Sequence, residues 1–249
     1  MSFASSFVVI GHRGAAGLVP ENTLPSFQRA FELGVDAIEL DVHRVEHRLA
    51  VIHDDTLERT TNGTGPVAAL SLAMLKSIDA GGAASIPLLD EVLDALPDQV
   101  AINIELKGRG TAALVADLLR QHVELLSPDR CMVSSFDHLM LLRFRQIADD
   151  LPVAVAPLYH QWRSTWRNTT SRCRTKWLNL SEKLVTAGRM QELGEAGLQV
   201  LAYTVNTTER ALELQVLGVR GVFTDRPDLL VPLFRPSFRP SAPVDPARV

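Results

Sequence analysis

Two short segments carry acidic side chains at alternating positions: Ile38-Glu39-Leu40-Asp41-Val42 and Ile102-Asn103-Ile104-Glu105-Leu106-Lys107. Successive side chains of a β-strand point to opposite faces, so Glu39 and Asp41 share one face of the first segment while Ile38, Leu40 and Val42 take the other. In the second segment Asn103, Glu105 and Lys107 share a face in the same way. Three carboxylates brought together repel one another unless positive charge offsets them. A hard divalent cation, Mg²⁺ or Ca²⁺, does so through oxygen ligands and leaves positions for water or a phosphate. Internal ion pairs with Arg13 and Lys107 are the competing explanation. They would suffice for a single carboxylate, whereas three beside two histidines favour a metal site.

The histidines are His12, in Gly11-His12-Arg13-Gly14, and His53, which ends the run Leu49-Ala50-Val51-Ile52. Imidazole titrates near neutrality, which suits the pair to general acid and base work. Gly11 and Gly14 allow close approach of backbone to a ligand, Arg13 offers a planar fork to phosphate oxygens, and Lys107 adds a second positive charge for the same anion. Tyr203, near a strand end, is expected as a pocket wall. Phe136, in Ser134-Ser135-Phe136-Asp137, is expected to line the pocket, with Asp137 capping the next helix.

Positioning these groups requires strands that end together. Eight apolar runs recur along the chain, at 7–10, 37–42, 100–106, 131–133, 153–156, 177–180, 200–205 and 221–223. Segments with helical apolar spacing, such as Leu24, Phe27 and Phe31, lie between most of them. Strands alternating with helices predict βαβ units, and eight of them fit an α/β fold of the (β/α)8 TIM-barrel type better than a doubly wound open sheet. Such a barrel collects its polar strand ends at the C-terminal face. Helix starts are expected at Asn22 or Thr23 with Pro25, at Thr186, and at Asp225 with Pro227, with Asn206 as a further cap. Residues 1–233 read as one catalytic domain with an insertion near 54–85 that holds one short helix. The tail 234–249, with four prolines, reads as extended or disordered.

Composition narrows the function. A formal charge of -4 argues against a nucleic-acid binder. Cys131 and Cys173 are too few and too far apart for a disulfide framework, and the first residues lack a signal-peptide core, so a cytoplasmic location is expected.

The ordered motifs His12-Arg13-Gly14, Glu21-Asn22-Thr23, Glu39-Leu40-Asp41, the run 53–63 from His53-Asp54 through Arg59-Thr60-Thr61 to Gly63, Glu105-Leu106-Lys107, Thr204-Val205-Asn206 and Thr224-Asp225 resemble the glycerophosphodiester phosphodiesterases over almost the whole chain. Trp162-Arg163, Trp166-Arg167 and Tyr203, where much of the family has Trp, resemble the cytosolic bacterial type associated with glycerol-phosphate uptake. The resemblance implies Mg²⁺ or Ca²⁺ on Glu39, Asp41 and Glu105, acid–base roles for His12 and His53, and phosphate contacts from Arg13 and Lys107. It also implies small-molecule glycerophosphodiester substrates; no nucleic acid is expected from the charge, no stable membrane association from the lack of an exposed apolar run, and a monomer or homodimer is expected. The products would be sn-glycerol 3-phosphate and an alcohol. His53 is the preferred base and His12 the preferred acid, an order that spacing does not fix. The nucleophile is water or the substrate's own glycerol hydroxyl.

Five basic residues fall between Leu158 and Trp177 with no acidic one. Their spacing suits a solvated helix face beneath which Trp162 and Trp166 pack, with either Trp free to touch the site mouth. Two other functions compete: a phospholipase D-like or phosphoinositide-specific enzyme, which needs an apolar membrane-facing ridge, and a catalytically dead phosphate-binding barrel, which would lack one of the polar residues above.

Overall fold

The computed structural model describes Phe3 and residues 7–237. Eight parallel strands form the barrel: β1 (Val8–Gly11), β2 (Ala37–Val45), β4 (Ala101–Leu106), β5 (Cys131–Ser135), β6 (Ala154–Tyr159), β7 (Trp177–Ser181), β8 (Gln199–Tyr203) and β9 (Gly221–Thr224). β1 pairs with both β9 and β2, which closes the sheet and excludes the open alternative. The ninth strand, β3 (Arg48–Val51), lies outside the eight runs and coincides with the apolar run that His53 ends. It runs antiparallel to the end of β2, with Val42 opposite Val51 and Val45 opposite Arg48, so β2 extends past Val42 to Val45.

The helices are α1 (Leu24–Leu33), α2 (Leu72–Ser77), α3 (Leu89–Ala95), α4 (Thr111–Leu119), α5 (His138–Ile147), α6 (Trp166–Cys173), α7 (Ala187–Glu195), α8 (Thr208–Val216) and α9 (Pro227–Phe234). α1 shows why the sequence starts and stops them where it does. Thr23 accepts a bond from the Ser26 amide at the N-terminus, and Gly34 closes the helix at φ 81, a left-handed conformation that glycine adopts without strain. Thr186 and Asp137 likewise cap α7 and α5. Asn206 and Asp225 do not cap. Thr207 caps α8, the N-cap position of α9 is Arg226, and the two expected caps bond each other instead.

Alternation divides the core. Outward residues such as Ile38, Leu40, Ile102, Ile104, Val133 and Val222 pack beneath helix residues including Phe27, Val115, Phe144 and Leu214. Inward residues Val8, Ile10, Ala37, Ala101, Met132, Ala156, Leu201 and Phe223 fill the lumen, so the barrel is solid below its polar mouth. The insertion has a small core of its own, where Leu57, Val67, Leu75 and Ile86 pack against Val45 and Ile52. Trp162 packs against the main core, and Trp166 is buried within it. Arg167 and Arg189 lie over the rings of Trp166 and Trp162.

α9 ends at Phe234, one residue beyond the expected boundary, and Arg235 donates to the Phe7 carbonyl and to both oxygens of the buried Asp36, which also accepts from the Val9 amide. The remainder of the tail, from Phe238, lies outside the described residues. Breaking a buried ion pair by removing one partner is costly, so Arg235→Ala, which also loses the bond to the Phe7 carbonyl, should destabilise the fold by about 3 kcal/mol in urea unfolding. Arg29→Ala, at an exposed pair, should move the midpoint little. A loss below about 1 kcal/mol for Arg235→Ala would show that Asp36 does not depend on the ion pair.

Candidate active site

Strand register brings the three carboxylates together. Asp41 lies beside Glu105 across the β2–β4 pairing, and Glu39 lies one inward position lower beside Asn103. Ligand oxygens of Glu39, Asp41 and Glu105 fall within 4.8 Å of one another, and all three residues are buried. Among the described residues, the lysine and arginine groups that face them are Arg13 and Lys107, and His12 Nε2 lies 3.9 Å from Glu39. Arg13 Nε lies 3.3 Å from Asp41, and Lys107 Nζ lies 3.0 Å from Glu105 and 3.7 Å from Asp41. Asn22 and the Arg13 amide donate to Asp41 and Glu39, yet Asp41 Oδ1 is buried without a hydrogen bond.

The titration behaviour follows from this shortage of positive charge. Burial, then Asp41 and Glu105, pushes the Glu39 carboxyl well above its ordinary range. Burial and Asp41 push Glu105 up to about 7, against the pull of Lys107. Burial would raise Asp41 as well, but Arg13, Lys107 and His53 hold it below the usual value. An acidic cluster short of one compensating charge, with an unbonded carboxylate oxygen, suits a divalent cation on oxygen ligands.

Each histidine is fixed by a carboxylate. His12 Nδ1 lies 2.6 Å from Asp225 Oδ1, and Asn206 holds the other Asp225 oxygen, at 2.8 Å. His53 Nδ1 lies 2.6 Å from Asp54 Oδ1, while its Nε2 lies 3.1 Å from Lys107 Nζ. Burial lowers the proton affinity of His53 despite Asp41 and Asp54. The β1–α1 loop that carries Arg13 is tightly folded: a Cβ on Gly11 would sit 2.4 Å from the Gly14 carbonyl, and Gly14, at φ 88, lies against Ser26.

A cleft of about 150 Å³ opens onto these groups. Seven of the nine residues singled out from the sequence line it: His12, Arg13, Glu39, His53, Glu105, Phe136 and Tyr203. Asp41 and Lys107 stand directly behind, and neither Trp162 nor Trp166 reaches the cleft. Phe136 and Tyr203 meet edge to face with centroids 5.8 Å apart, and Leu158 and Phe223 complete an apolar wall. Sequence reasoning missed Asp225, Asp54 and Glu21 as partners of His12, His53 and Arg13. It also missed His43, whose Nε2 lies 3.1 Å from the His53 carbonyl. The inward alternation of β2 through Glu39 and Asp41 to residue 43 was the one available signal for His43. A larger groove of about 430 Å³ near Arg48 and His122 gathers no such set of groups.

Because Glu105 titrates near 7 in the fold and near 4.5 when unfolded, the stability it contributes is complete below about pH 4.5 and is lost as pH rises through 7. In chelator, wild type should therefore lose on the order of 1–3 kcal/mol relative to Glu105→Gln between pH 5 and pH 8. The opposite contributions of His43 and His53, whose proton affinities fall on folding, largely cancel in this difference. Parallel pH profiles for the two proteins in thermal or urea melts would contradict the assigned electrostatics.

Comparison with known proteins places this geometry. Residues 12–229 match the model of the glycerophosphoryl diester phosphodiesterase family. A glycerophosphodiester phosphodiesterase of Bacillus altitudinis is 34% identical over 238 residues, covering 90% of this chain and 96% of the relative. One from Caldanaerobacter subterraneus is 33% identical over 242 residues, covering 92% and 98%. Among solved structures, a phosphodiesterase of Oleispira antarctica in complex with the product sn-glycerol-3-phosphate superposes with a TM-score of 0.80 at 28% identity, covering 88% of this chain and 93% of that one. The carboxylates, histidines and barrel described above thus sit in a chain that belongs to the glycerophosphoryl diester phosphodiesterase family.

Proposed function

We propose that this chain hydrolyses glycerophosphodiesters to sn-glycerol 3-phosphate and an alcohol, using a divalent cation and the pair His12 and His53. The observation that carries the reading is the convergence of a buried carboxylate triad, two members of which line the cleft, with two cleft-lining histidines whose Nδ1 atoms are each held by a carboxylate. The relative from Oleispira antarctica, which holds sn-glycerol-3-phosphate as product, supports the choice of substrate class.

Glu39, Asp41 and Glu105 would hold the cation. Bound there, Mg²⁺ or Ca²⁺ would offset the carboxylates and draw charge from the phosphoryl oxygens. Arg13, which lines the cleft, orients the phosphate, and Lys107 adds positive charge beside Asp41 and Glu105. The Nδ1–H of His53 donates to Asp54, so Nε2 carries the lone pair, consistent with the Lys107 ammonium facing it. That nitrogen takes the proton of the attacking oxygen as it bonds to phosphorus: water gives sn-glycerol 3-phosphate directly, whereas the substrate's glycerol hydroxyl gives a cyclic phosphate that water then opens. Protonated His12, steadied by Asp225, gives its Nε2 proton to the departing alkoxide, and the P–O bond to the alcohol breaks. Phe136, Leu158, Tyr203 and Phe223 form the wall against which the carbon skeleton packs. No described helix is long and apolar enough to cross a membrane.

Release of sn-glycerol 3-phosphate from choline, ethanolamine, glycerol and inositol diesters should cease in strong chelator and return with Mg²⁺ or Ca²⁺. Full turnover in metal-free buffer would refute the cation's part. His12→Ala and His53→Ala should each lower kcat by roughly 10²–10⁴-fold with KM much less affected. A p-nitrophenyl leaving group, which departs without a proton, should rescue His12→Ala far more than His53→Ala. Rescue of the other variant would exchange the two roles, and near-normal kcat in both would remove the pair from catalysis.

A further inference from the structure

The run 53–63 contains a single arginine, Arg59, to which the chemistry above gives no part. Arg59 stands on a turn of the insertion, five residues past Asp54, and its guanidinium reaches back to the site. Nη1 and Nη2 donate to the two Glu21 oxygens at 3.0 and 2.8 Å, while Nε and Nη2 donate to the two oxygens of Asp54. Glu21 in turn accepts from Arg13 Nη1 at 2.8 Å, and Asp54 engages His53 Nδ1 at 2.6 Å. A single planar fork thus lies at the centre of a chain Arg13–Glu21–Arg59–Asp54–His53.

We infer that Arg59 is a positioning residue, which through Glu21 sets the phosphate-facing Arg13 and through Asp54 sets the ring of His53. The inference rests on the roles proposed above for those two residues. Two carboxylates share donor Nη2, so without the guanidinium they would confront each other with no cation between them, and each would be free to turn from its partner in the site. Lysine could not replace it, because one ammonium cannot present parallel N–H pairs to two carboxylates.

The insertion is built to hold this side chain. Leu57 is buried in the insertion's core, the Thr61 amide and hydroxyl close the turn onto the Leu57 carbonyl at 3.1 and 2.7 Å, and Asn62 and Asp79 exchange two bonds at 3.0 Å. Arg59 is therefore presented from a supported turn although its side chain is half exposed. The segment 54–85 acquires a task by this account: it completes the site from outside the barrel.

The test compares Arg59→Ala, Arg59→Lys, Asp54→Asn and Glu21→Gln with wild type on a soluble glycerophosphodiester, with rates expressed per folded molecule. Loss of a group that orients a site residue typically costs 10–100-fold. Both Arg59 variants should lose roughly 10–100-fold in kcat and also show a raised KM. Asp54→Asn should reproduce chiefly the kcat loss and Glu21→Gln chiefly the KM rise. Adding Arg59→Ala to Asp54→Asn should cost little further kcat, and added guanidinium should partly restore Arg59→Ala. Arg59→Lys, which keeps the charge, covers the case in which the Ala variant folds poorly. Independently of turnover, ¹⁵N resonances of His53 should show one Nδ1–H tautomer in wild type and a mixture in both Arg59 variants.

Unchanged kcat and KM per folded molecule would overturn the inference, as would an unaltered His53 tautomer. Additive losses without guanidinium rescue would reduce Arg59 to a structural residue. If wild type fails to cleave any diester, the functional reading falls, and the His53 resonances still decide whether Arg59 sets the ring.

Discussion

Three carboxylates buried within 4.8 Å of one another, with two ammonium or guanidinium groups directly facing them, impose the charge problem around which the mouth of this barrel is arranged. Burial and mutual repulsion raise Glu39 and Glu105, while Arg13 and Lys107 keep Asp41 ionised. The cluster therefore meets its surroundings either by holding protons or by taking up a cation. A buried arrangement that costs stability in its free form is what a site for a charged ligand requires, because the ligand offsets the cost when it arrives.

The neighbouring loops extend the same logic outward. His12, His53 and Arg13, which line the cleft, each have an acidic partner: Asp225 holds His12, Asp54 holds His53 and Glu21 holds Arg13. These partners hold rings and guanidinium in place, and their own charge is steadied by Asn206 or Arg59. They come from the β9 end, the stretch after β3 and the β1–α1 loop, segments far apart in sequence that barrel closure brings to one face. The solid lumen below, filled by apolar side chains as small as Ala37 and as large as Phe223, gives the strand ends a fixed base.

Much of this was legible in the sequence because strand alternation is a local rule. Glu39, Asp41 and Glu105 could be assigned to inward faces from period two alone, and eight apolar runs separated by helical spacing predicted the barrel that unites them. The partners were harder to see. Asp225 sits two residues before Pro227 and carries the marks of a helix cap, yet closure of β9 on β1 places it against His12 instead. β3 was absent from the eight runs because Arg48–Val51 forms its ladder with the extended end of β2, across a turn that lacks a strong hairpin signature. Arg59 could not be placed because its partners are 5 and 38 residues away, and no periodic pattern links them.

Placement of the cation on the triad is the central claim, and crystals grown with Ca²⁺ and sn-glycerol 3-phosphate test it most directly. The account predicts an anomalous peak with oxygens of Glu39, Asp41 and Glu105 at about 2.3–2.6 Å and a phosphate oxygen completing the shell. Phosphate held by Arg13 and Lys107 alone, with no ion on the triad at saturating Ca²⁺, would contradict it.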